Sequence, residues 1–312
     1  MKLITYNKAS VTSCGMLIDD KVIDIPSAWR WSDAPTSVIE ILRRGAGCLA
    51  KLGQLAESVQ YFIPAKSVKI LAPIPRPGKV IALAGNYSKH IKEVGLALGL
   101  SDSPRKTTVP RPFLMPATVV TGPGTEIPWP AYSEQIDYEI ELAVVIGKEA
   151  RFVKPAEAPA FVAGYTIAND ISARSVTFTA GRAARPWDEF YDWLNGKWAD
   201  GFLPMGPYLL IPEKGFDVQG LDMTLTVNGR VRQQADTGQM IFPVADVVSF
   251  LSHIMTLQAG DVICTGTPAG VAAATGEFLE PGDIIECTIE HLGTLTNTLG
   301  ARPAKFYQPL ER

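Results

Sequence analysis

The amino-acid sequence predicts an α+β protein that is mainly β, with a small N-terminal α+β unit and a larger domain built as a β-roll or β-sandwich. From Val80 onward, short apolar runs alternate with clusters of turn residues, and long helical patterns are few. Such spacing is typical of sandwiches and rolls rather than of βαβ arrays. The segment from Leu71 to Lys79 carries three prolines and a glycine. We expect a linker there, which divides the chain into residues 1–70 and 71–312.

The N-terminal unit shows a strand pattern followed by a helix pattern. The runs LITY, CGMLI and KVIDI predict a meander, with a hairpin turn at Asp19-Asp20. Two helices are expected, from Ser37 to Arg44 and from Leu49 to Glu57.

The larger domain is predicted to contain eight strands and one clear helix. The helix runs from about Val244 to Met255 after Pro243, and Asn228-Gly229 predicts a hairpin turn. The predicted strands are Phe113 to Val120, Tyr138 to Ile146, Phe161 to Ala168, Tyr208 to Ile211, Met223 to Val227, Val262 to Thr265, Ile284 to Ile289 and Thr294 to Thr298.

Composition excludes several classes of function. A net charge of -3 gives no basic surface for nucleic acid, and no apolar run is long enough to span a membrane. The N-terminus does not resemble a signal peptide, and the four cysteines form no metal or disulfide pattern, so we expect a cytoplasmic protein with reduced thiols. No nucleotide-binding glycine motif is present.

Three acidic residues predict a metal site. Glu139 and Glu141 lie in the apolar segment DYEIELAVVIG, where alternation along a strand places both side chains on one face. Asp170 ends the apolar run YTIAND, before an expected turn into a helix. Adjacent buried carboxylates need protonation, a cation or a metal, and three of them suit Mg²⁺ or Mn²⁺. The plainer alternatives are a solvated edge strand for the two glutamates and a helix N-cap for Asp170.

Other segments carry candidate catalytic and binding residues. His90 and Glu93 lie three residues apart on an expected helix, where the carboxylate could orient the imidazole as a general base. Lys197 could hold its ammonium near a developing oxyanion, and Thr267 in CTGTPAGV could help to bind a carboxylate. An exposed helix, a solvated lysine and a plain turn are the simpler interpretations.

Taken in order, these segments resemble the catalytic domain of the fumarylacetoacetate hydrolase family. The matching segments are GNYSKHIKE, DYEIELAVVIG, GYTIANDISARS, KWADGFLPMGP, LTVNGRVRQ, GDVICTGTPAGV and EPGDIIECTIEHLGTL, and the likeness covers about residues 75 to 300. The resemblance implies a β-roll catalytic domain, usually a homodimer, that binds magnesium or manganese.

The resemblance also implies roles for individual residues. In that family the acids that match Glu139, Glu141 and Asp170 hold the metal. The positions of His90 and Glu93 activate water, and Lys197 polarises the substrate. Two further positions, Arg174 and Thr267, match residues near the bound keto acid, and Tyr87 is an additional candidate for substrate binding.

The leading function predicted from the sequence is metal-dependent hydrolysis of a C–C bond in an acylpyruvate or related 2,4-diketo acid, through a metal-bound enolate. Relatives with the same scaffold decarboxylate oxaloacetate or act as isomerases and hydratases on 2-oxo-hydroxymuconate-type acids, so these activities are alternatives. A non-catalytic, metal-stabilised interaction protein is a more remote one.

Two departures from the family pattern affect specificity. Ser175, Val176 and Thr177 follow DISAR where many relatives carry an acid, an apolar residue and a glutamine, and Trp198 follows Lys197 where a small residue is common. An aromatic-rich insertion containing Trp187 and Trp193 precedes Lys197 and is expected to line the pocket or a dimer contact. The segment from Ile91 to Pro112 is expected to be a mobile lid.

Overall fold

The computed structural model describes residues 1–94 and 105–309. Within these ranges the strands, in chain order β1 to β19, are Lys2–Lys8, Val11–Ile18, Lys21–Asp24, Ile63–Pro64, Lys69–Leu71, Val80–Leu83, Pro112–Met115, Val120–Thr121, Glu126–Ile127, Ile136–Asp137, Ile140–Ile146, Val162–Asn169, Ser172–Ala173, Leu203–Leu210, Asp222–Val227, Arg230–Asp236, Val262–Cys264, Ile284–Ile289 and Gly293–Leu299. The α-helices, α1 to α7, are Ile25–Ala28, Val38–Arg44, Ala46–Ser58, Ser88–Val94, Asp188–Asn195, Val244–Ile254 and Ala272–Thr275.

Sheet structure dominates the fold, which confirms the mainly β prediction. A large sheet has the strand order β4-β3-β2-β1-β14-β12-β11-β17-β6-β7, with β5 paired to β1 and β8 paired to β14. A five-stranded sheet has the order β16-β15-β18-β19-β9, and β10 pairs with β13 in a two-stranded sheet. Most neighbours are antiparallel, but β17 pairs with β6 in parallel.

Strand β11 lies in the middle of the large sheet and is buried on both faces. Its even-numbered side chains, such as Leu142 and Val144, belong to the core that includes α6 and the five-stranded sheet. Ala143 and Val145 belong to the core on the other face, with residues of α2 and α3. This alternation with period two places Glu141 on the same side of the strand as Ala143.

The N-terminal elements agree with the sequence prediction. Strands β1 to β3 form the meander, with the hairpin at Asp19-Asp20. Helix α2 begins after Ser37, whose hydroxyl accepts a hydrogen bond from the Glu40 amide at 3.2 Å, as an N-cap does. Strand β1 also pairs with β14, so sheet hydrogen bonds continue across residue 70. The division into two domains at that point stays a prediction.

Three local expectations were wrong. The run from Phe113 to Val120 forms two strands instead of one, because Pro116 and a 3₁₀ helix at Ala117–Val119 separate β7 from β8. Strand β11 begins at Ile140, so Glu139 lies just before it. No helix follows Asp170, because the next residues pair with β10 as β13.

Three further expectations concern membrane-spanning helices, the cysteines and the lid. No helix in residues 1–94 or 105–309 is long and apolar enough to cross a membrane. All four cysteines are free, and all four are buried. Residues 95–104 of the expected lid lie outside the described residues.

Two glycine substitutions test the packing of the large sheet. A Cβ on Gly164 of β12 would lie 2.0 Å from the Leu210 carbonyl oxygen, so Gly164→Ala should destabilise the protein by about 1–3 kcal/mol or more. A Cβ on Gly53 in α3 meets no atom within 4 Å, so Gly53→Ala should stabilise it by about 0.5–1 kcal/mol. Urea unfolding measures both, and equal effects would contradict the described packing of β12 on β14.

Candidate metal centre and active site

Three acidic side chains converge where strands β11 and β12 meet. Glu139 directly precedes β11, Glu141 is its second residue, and Asp170 directly follows β12. The register pairs Ile140 with Asn169, which brings these residues together. One ligand oxygen from each carboxylate lies within 4.8 Å of the others, and all three residues are buried. We refer to Glu139, Glu141 and Asp170 as the carboxylate trio.

Backbone contacts fix the position of the trio. The Asp170 amide donates to the Glu139 carbonyl at 2.9 Å, and the Glu139 amide donates to Asn169 Oδ1 at 2.9 Å. Glu141 Oε2 accepts a hydrogen bond of 2.7 Å from the Gly266 amide, which follows β17. Three neighbouring segments therefore hold the acids at one point.

Two cationic side chains, the buried Lys197 and the partly buried Arg174, lie against the trio. The Lys197 ammonium is 2.9 Å from Glu139 Oε2 and 2.8 Å from Asp170 Oδ2. Arg174 donates through Nη2 to Glu139 Oε1 and through Nε to Asp137 Oδ2 at 2.9 Å. Arg174 is therefore shared between two carboxylates. In the described part of the chain, no ion pair reaches Glu141.

The pKa values of the trio diverge because these cations are unevenly placed. Burial raises the pKa of Glu139, but Lys197 and Arg174 outweigh burial and lower it below its ordinary value. Burial, followed by the charges of Asp170 and Glu139, raises the pKa of Glu141 well above its usual range. Burial also raises the pKa of Asp170, to about 6, against the opposing effect of Lys197. The site thus holds more negative charge than its cations neutralise.

The donor set fits a hard divalent cation. Asp170 Oδ1 is buried and has no hydrogen-bond partner within residues 1–94 and 105–309. Buried polar atoms are nearly always satisfied, so this oxygen indicates a missing ligand. Carboxylate oxygens are the preferred ligands of Mg²⁺ and Mn²⁺. The choice between these two ions stays a prediction.

His90 and Glu93 form a pair on helix α4. His90 Nδ1 lies 3.2 Å from Glu93 Oε1, and the Glu93 carboxylate also accepts from the Gly270 amide at 2.8 and 3.0 Å. Because an ionised carboxylate can only accept, Nδ1 carries the proton and Nε2 is left as the basic nitrogen. The Gly270 amide binds Glu93 and the Gly266 amide binds Glu141, so helix α4 and the trio contact the same loop after β17.

Two buried amide side chains hold the surrounding loops. Asn86 Nδ2 donates to the carbonyls of Thr265 and Phe242, at 2.8 and 3.1 Å. The hydrogen bond to Thr265 connects the segment just before α4 to the loop after β17. Gln233 of β16 donates to Thr267 Oγ1 at 2.9 Å and accepts from the Ile140 amide at 3.0 Å.

Comparison with known proteins settles the family. Residues 79–300 match the family described as fumarylacetoacetate (FAA) hydrolase, C-terminal, which is more than half of the chain. The chain belongs to the fumarylacetoacetate hydrolase family. The resemblance seen in the sequence is confirmed, and the family fold includes the segment that carries the trio.

Individual relatives in the fumarylacetoacetate hydrolase family differ in their named activities. The chain is 40% identical over 315 residues to the fumarylacetoacetate hydrolase domain-containing protein 2 homolog of Dictyostelium discoideum, covering 96% of this chain and 97% of that protein. It is 35% identical over 265 residues to the mitochondrial oxaloacetate tautomerase FAHD2A of Bos taurus, covering 84% and 79%. A structure of maleylpyruvate hydrolase from Sphingobium sp. SYK-6 with manganese(II) and pyruvate matches with a TM-score of 0.76 at 27% identity, covering 97% and 100%.

These comparisons leave the cellular location open. The bovine relative is named as mitochondrial, and the predicted cytoplasmic location of this chain stays a prediction.

The structure brings most of the predicted residues of this family member together. Lys197 and Arg174 contact the trio, and Thr267 follows the Gly266 amide that binds Glu141. Tyr87 is different, because its buried hydroxyl contacts Met223 Sδ at 3.4 Å in the core. A substrate contact through that hydroxyl has no support from the structure and stays a prediction, as do the roles of the other residues.

Sequence reasoning missed three polar residues that position the site. Asn86, Asp137 and Gln233 are all buried. Asp137 accepts from the Ala272 and Ala273 amides at 2.6 and 3.1 Å as well as from Arg174. The sequence signal that could have identified them is a polar side chain inside or beside an apolar strand. Burial of such a side chain is costly unless it is hydrogen-bonded, so it is expected to have a structural partner.

The aromatic insertion forms α5 and the segment before it. Trp193 packs edge-to-face on Phe113 of β7 with ring centroids 4.9 Å apart, and the Trp198 indole donates to the Leu114 carbonyl at 3.2 Å. Trp187 and Tyr191 are exposed. The insertion therefore lies along an edge strand of the large sheet, and the predicted roles in a pocket wall or dimer contact stay open.

A thermal unfolding experiment tests the metal-binding role of the trio. Glu141→Gln replaces a carboxyl whose ionisation is opposed by burial and by Asp170 and Glu139, so the metal-free variant should unfold at or above the wild-type temperature. Magnesium at about 100 times its Kd should stabilise the wild type by about 2.7 kcal/mol, and this gain should be lost in the variant.

The matched control is Glu149→Gln, at an exposed position beyond β11, which should keep the full gain. If magnesium stabilises Glu141→Gln as much as the wild type, or if that variant unfolds at a lower temperature than the wild type in chelator, Glu141 is not a metal ligand.

Proposed function

We propose that the chain catalyses keto–enol proton transfer at the carbon next to the 2-oxo group of a small anionic keto acid, with oxaloacetate as the first candidate. The observation that carries the proposal is the contact between His90 Nδ1 and Glu93 on helix α4, which leaves Nε2 as the available base, together with the loop that binds both Glu93 and Glu141. The similarity to a relative named as an oxaloacetate tautomerase supports the same reaction.

In this proposal, His90 moves the proton. Its Nε2 removes the proton from the substrate carbon, and the electron pair of the C–H bond forms the C=C bond as the keto oxygen becomes an enolate oxygen. The imidazolium then returns the proton to that oxygen, and the reverse sequence gives the keto form. Glu93 stabilises the imidazolium through the hydrogen bond to Nδ1.

Lys197 and the trio provide the electrostatic setting. A divalent cation held by Glu139, Glu141 and Asp170 would act as a Lewis acid and favour loss of the carbon-bound proton. Lys197 uses two of its three N–H groups on Glu139 and Asp170, which leaves one to donate to a substrate oxygen. Arg174 offsets the charge of Glu139, so an anionic substrate meets less repulsion.

Hydrolysis of a C–C bond is the second candidate, because the solved structure of maleylpyruvate hydrolase is similar over nearly the whole chain. Hydrolysis requires a positioned water molecule in addition to a base. The Glu93 carboxylate is already bound to His90 and to the Gly270 amide, so it holds the imidazole and the loop rather than a free water site. This arrangement favours a reaction that needs one base.

His90→Gln tests the proton transfer. The variant should lose enol–keto conversion of oxaloacetate by about 10²- to 10⁴-fold, the usual contribution of a positioned general base. Loss of enol absorbance in magnesium-containing buffer measures the rate above the spontaneous one. The control is His253→Gln on α6, an exposed histidine whose ring packs against Phe152, and it should keep the wild-type rate. An unchanged rate in His90→Gln would contradict the assigned base.

A substrate comparison separates the two candidates. The wild type should convert enol-oxaloacetate to the keto form without releasing carbon dioxide, and it should cleave acetylpyruvate more slowly. Both activities should vanish with chelator and return with Mg²⁺ or Mn²⁺. Faster cleavage of acetylpyruvate would favour the hydrolase, release of carbon dioxide would favour a decarboxylase, and no turnover of either acid would favour the non-catalytic alternative.

A further inference from the structure

The Gln233 side chain joins three parts of the site. It lies on β16 and is 1% exposed. Its Oε1 accepts from the Ile140 amide at 3.0 Å, and its Nε2 donates to Thr267 Oγ1 at 2.9 Å and to the Pro268 carbonyl at 2.8 Å. The carboxamide thus uses its oxygen and both of its N–H groups.

These bonds fix the direction of the Thr267 hydroxyl. Because Oγ1 accepts from Gln233, the hydroxyl proton must be donated to another atom. Within residues 1–94 and 105–309, no acceptor for that proton is found, although Thr267 is only 3% exposed. A buried donor without an acceptor is costly, which indicates that a bound molecule supplies the acceptor.

The missing acceptor belongs next to the carboxylate trio. Thr267 follows Gly266, whose amide binds Glu141. On its other side, Gln233 holds the Ile140 amide, which lies between Glu139 and Glu141 in the chain. An acceptor at this point would be an oxygen of a substrate bound next to the trio.

We propose that Gln233 is a positioning residue that presents the Thr267 hydroxyl as a hydrogen-bond donor to a carboxylate oxygen of the bound 2-oxo acid. The inference rests on the proposed function for the class of ligand. Without the carboxamide, the Thr267 hydroxyl and the Pro268 carbonyl lose their common partner. The hydroxyl is then free to donate elsewhere, and the substrate loses an oriented donor.

Calorimetric titration of the protein with oxalate in saturating magnesium tests this proposal. Thr267→Val should weaken oxalate binding roughly 10- to 100-fold, the value of one hydrogen bond to a charged group. Gln233→Met should have a similar effect, and the double variant should be no more than about threefold weaker than either single one, because both remove the same interaction. Thr267→Ser retains the hydroxyl and should recover most of the affinity.

The matched control is Gln234→Met, the neighbouring exposed residue of β16, which should bind oxalate as the wild type does. Multiplying effects in the double variant, or equal affinities of Thr267→Val and Thr267→Ser, would overturn the proposal. If Gln233→Met does not fold, the comparison of Val with Ser at position 267 still decides whether the hydroxyl is the donor.

The same titration separates this inference from the proposed reaction. One result is that the wild type lacks keto–enol activity while the wild type and its variants show the expected order of oxalate affinities. That result would reject the proposed reaction and support the role of Gln233. A wild type that does not bind oxalate in magnesium would reject the inference itself.

Discussion

The excess of buried negative charge is the constraint on which the rest of the site depends. Three carboxylates lie within reach of one another in the protein interior, and among the described residues the nearest cations pair with Glu139 and Asp170 but not with Glu141. Isolated buried charges are expensive, and cations of the chain offset only part of this cost. The unpartnered oxygen of Asp170 and the raised pKa of Glu141 are two signs of the same imbalance. A divalent cation would resolve both.

The fold maintains this imbalance through hydrogen bonds between distant segments. Asp137 connects β10 to Arg174 and to the start of α7, and Asn86 connects α4 to the loop after β17. Gln233 connects the five-stranded sheet to β11. Each of these side chains is buried and its polar atoms are hydrogen-bonded, so each holds one element of the fold close to the trio. Glu93 does the same for α4 by binding the Gly270 amide.

Local sequence patterns predicted the elements, but not the contacts between them. Alternation in DYEIELAVVIG was enough to place Glu139 and Glu141 together, because the period of a strand is a local property. The helix expected after Asp170 was wrong, because the long-range pairing of β13 with β10 overrides local propensity. Gln233 lies 93 residues from Ile140 in the chain, so no local pattern could reveal their hydrogen bond. The family resemblance supplied candidates for the site, and the structure supplied the partners of each side chain.

A crystal structure of the protein grown with manganese tests the central claim most directly, because anomalous scattering locates the ion. The account predicts one strong peak bound to oxygens of Glu139, Glu141 and Asp170, at about 2.0–2.4 Å from each. It also predicts that the free oxygen of Asp170 is a ligand. A fully ordered trio with no ion, or an ion bound elsewhere, would contradict the claim that a divalent cation balances the buried charge.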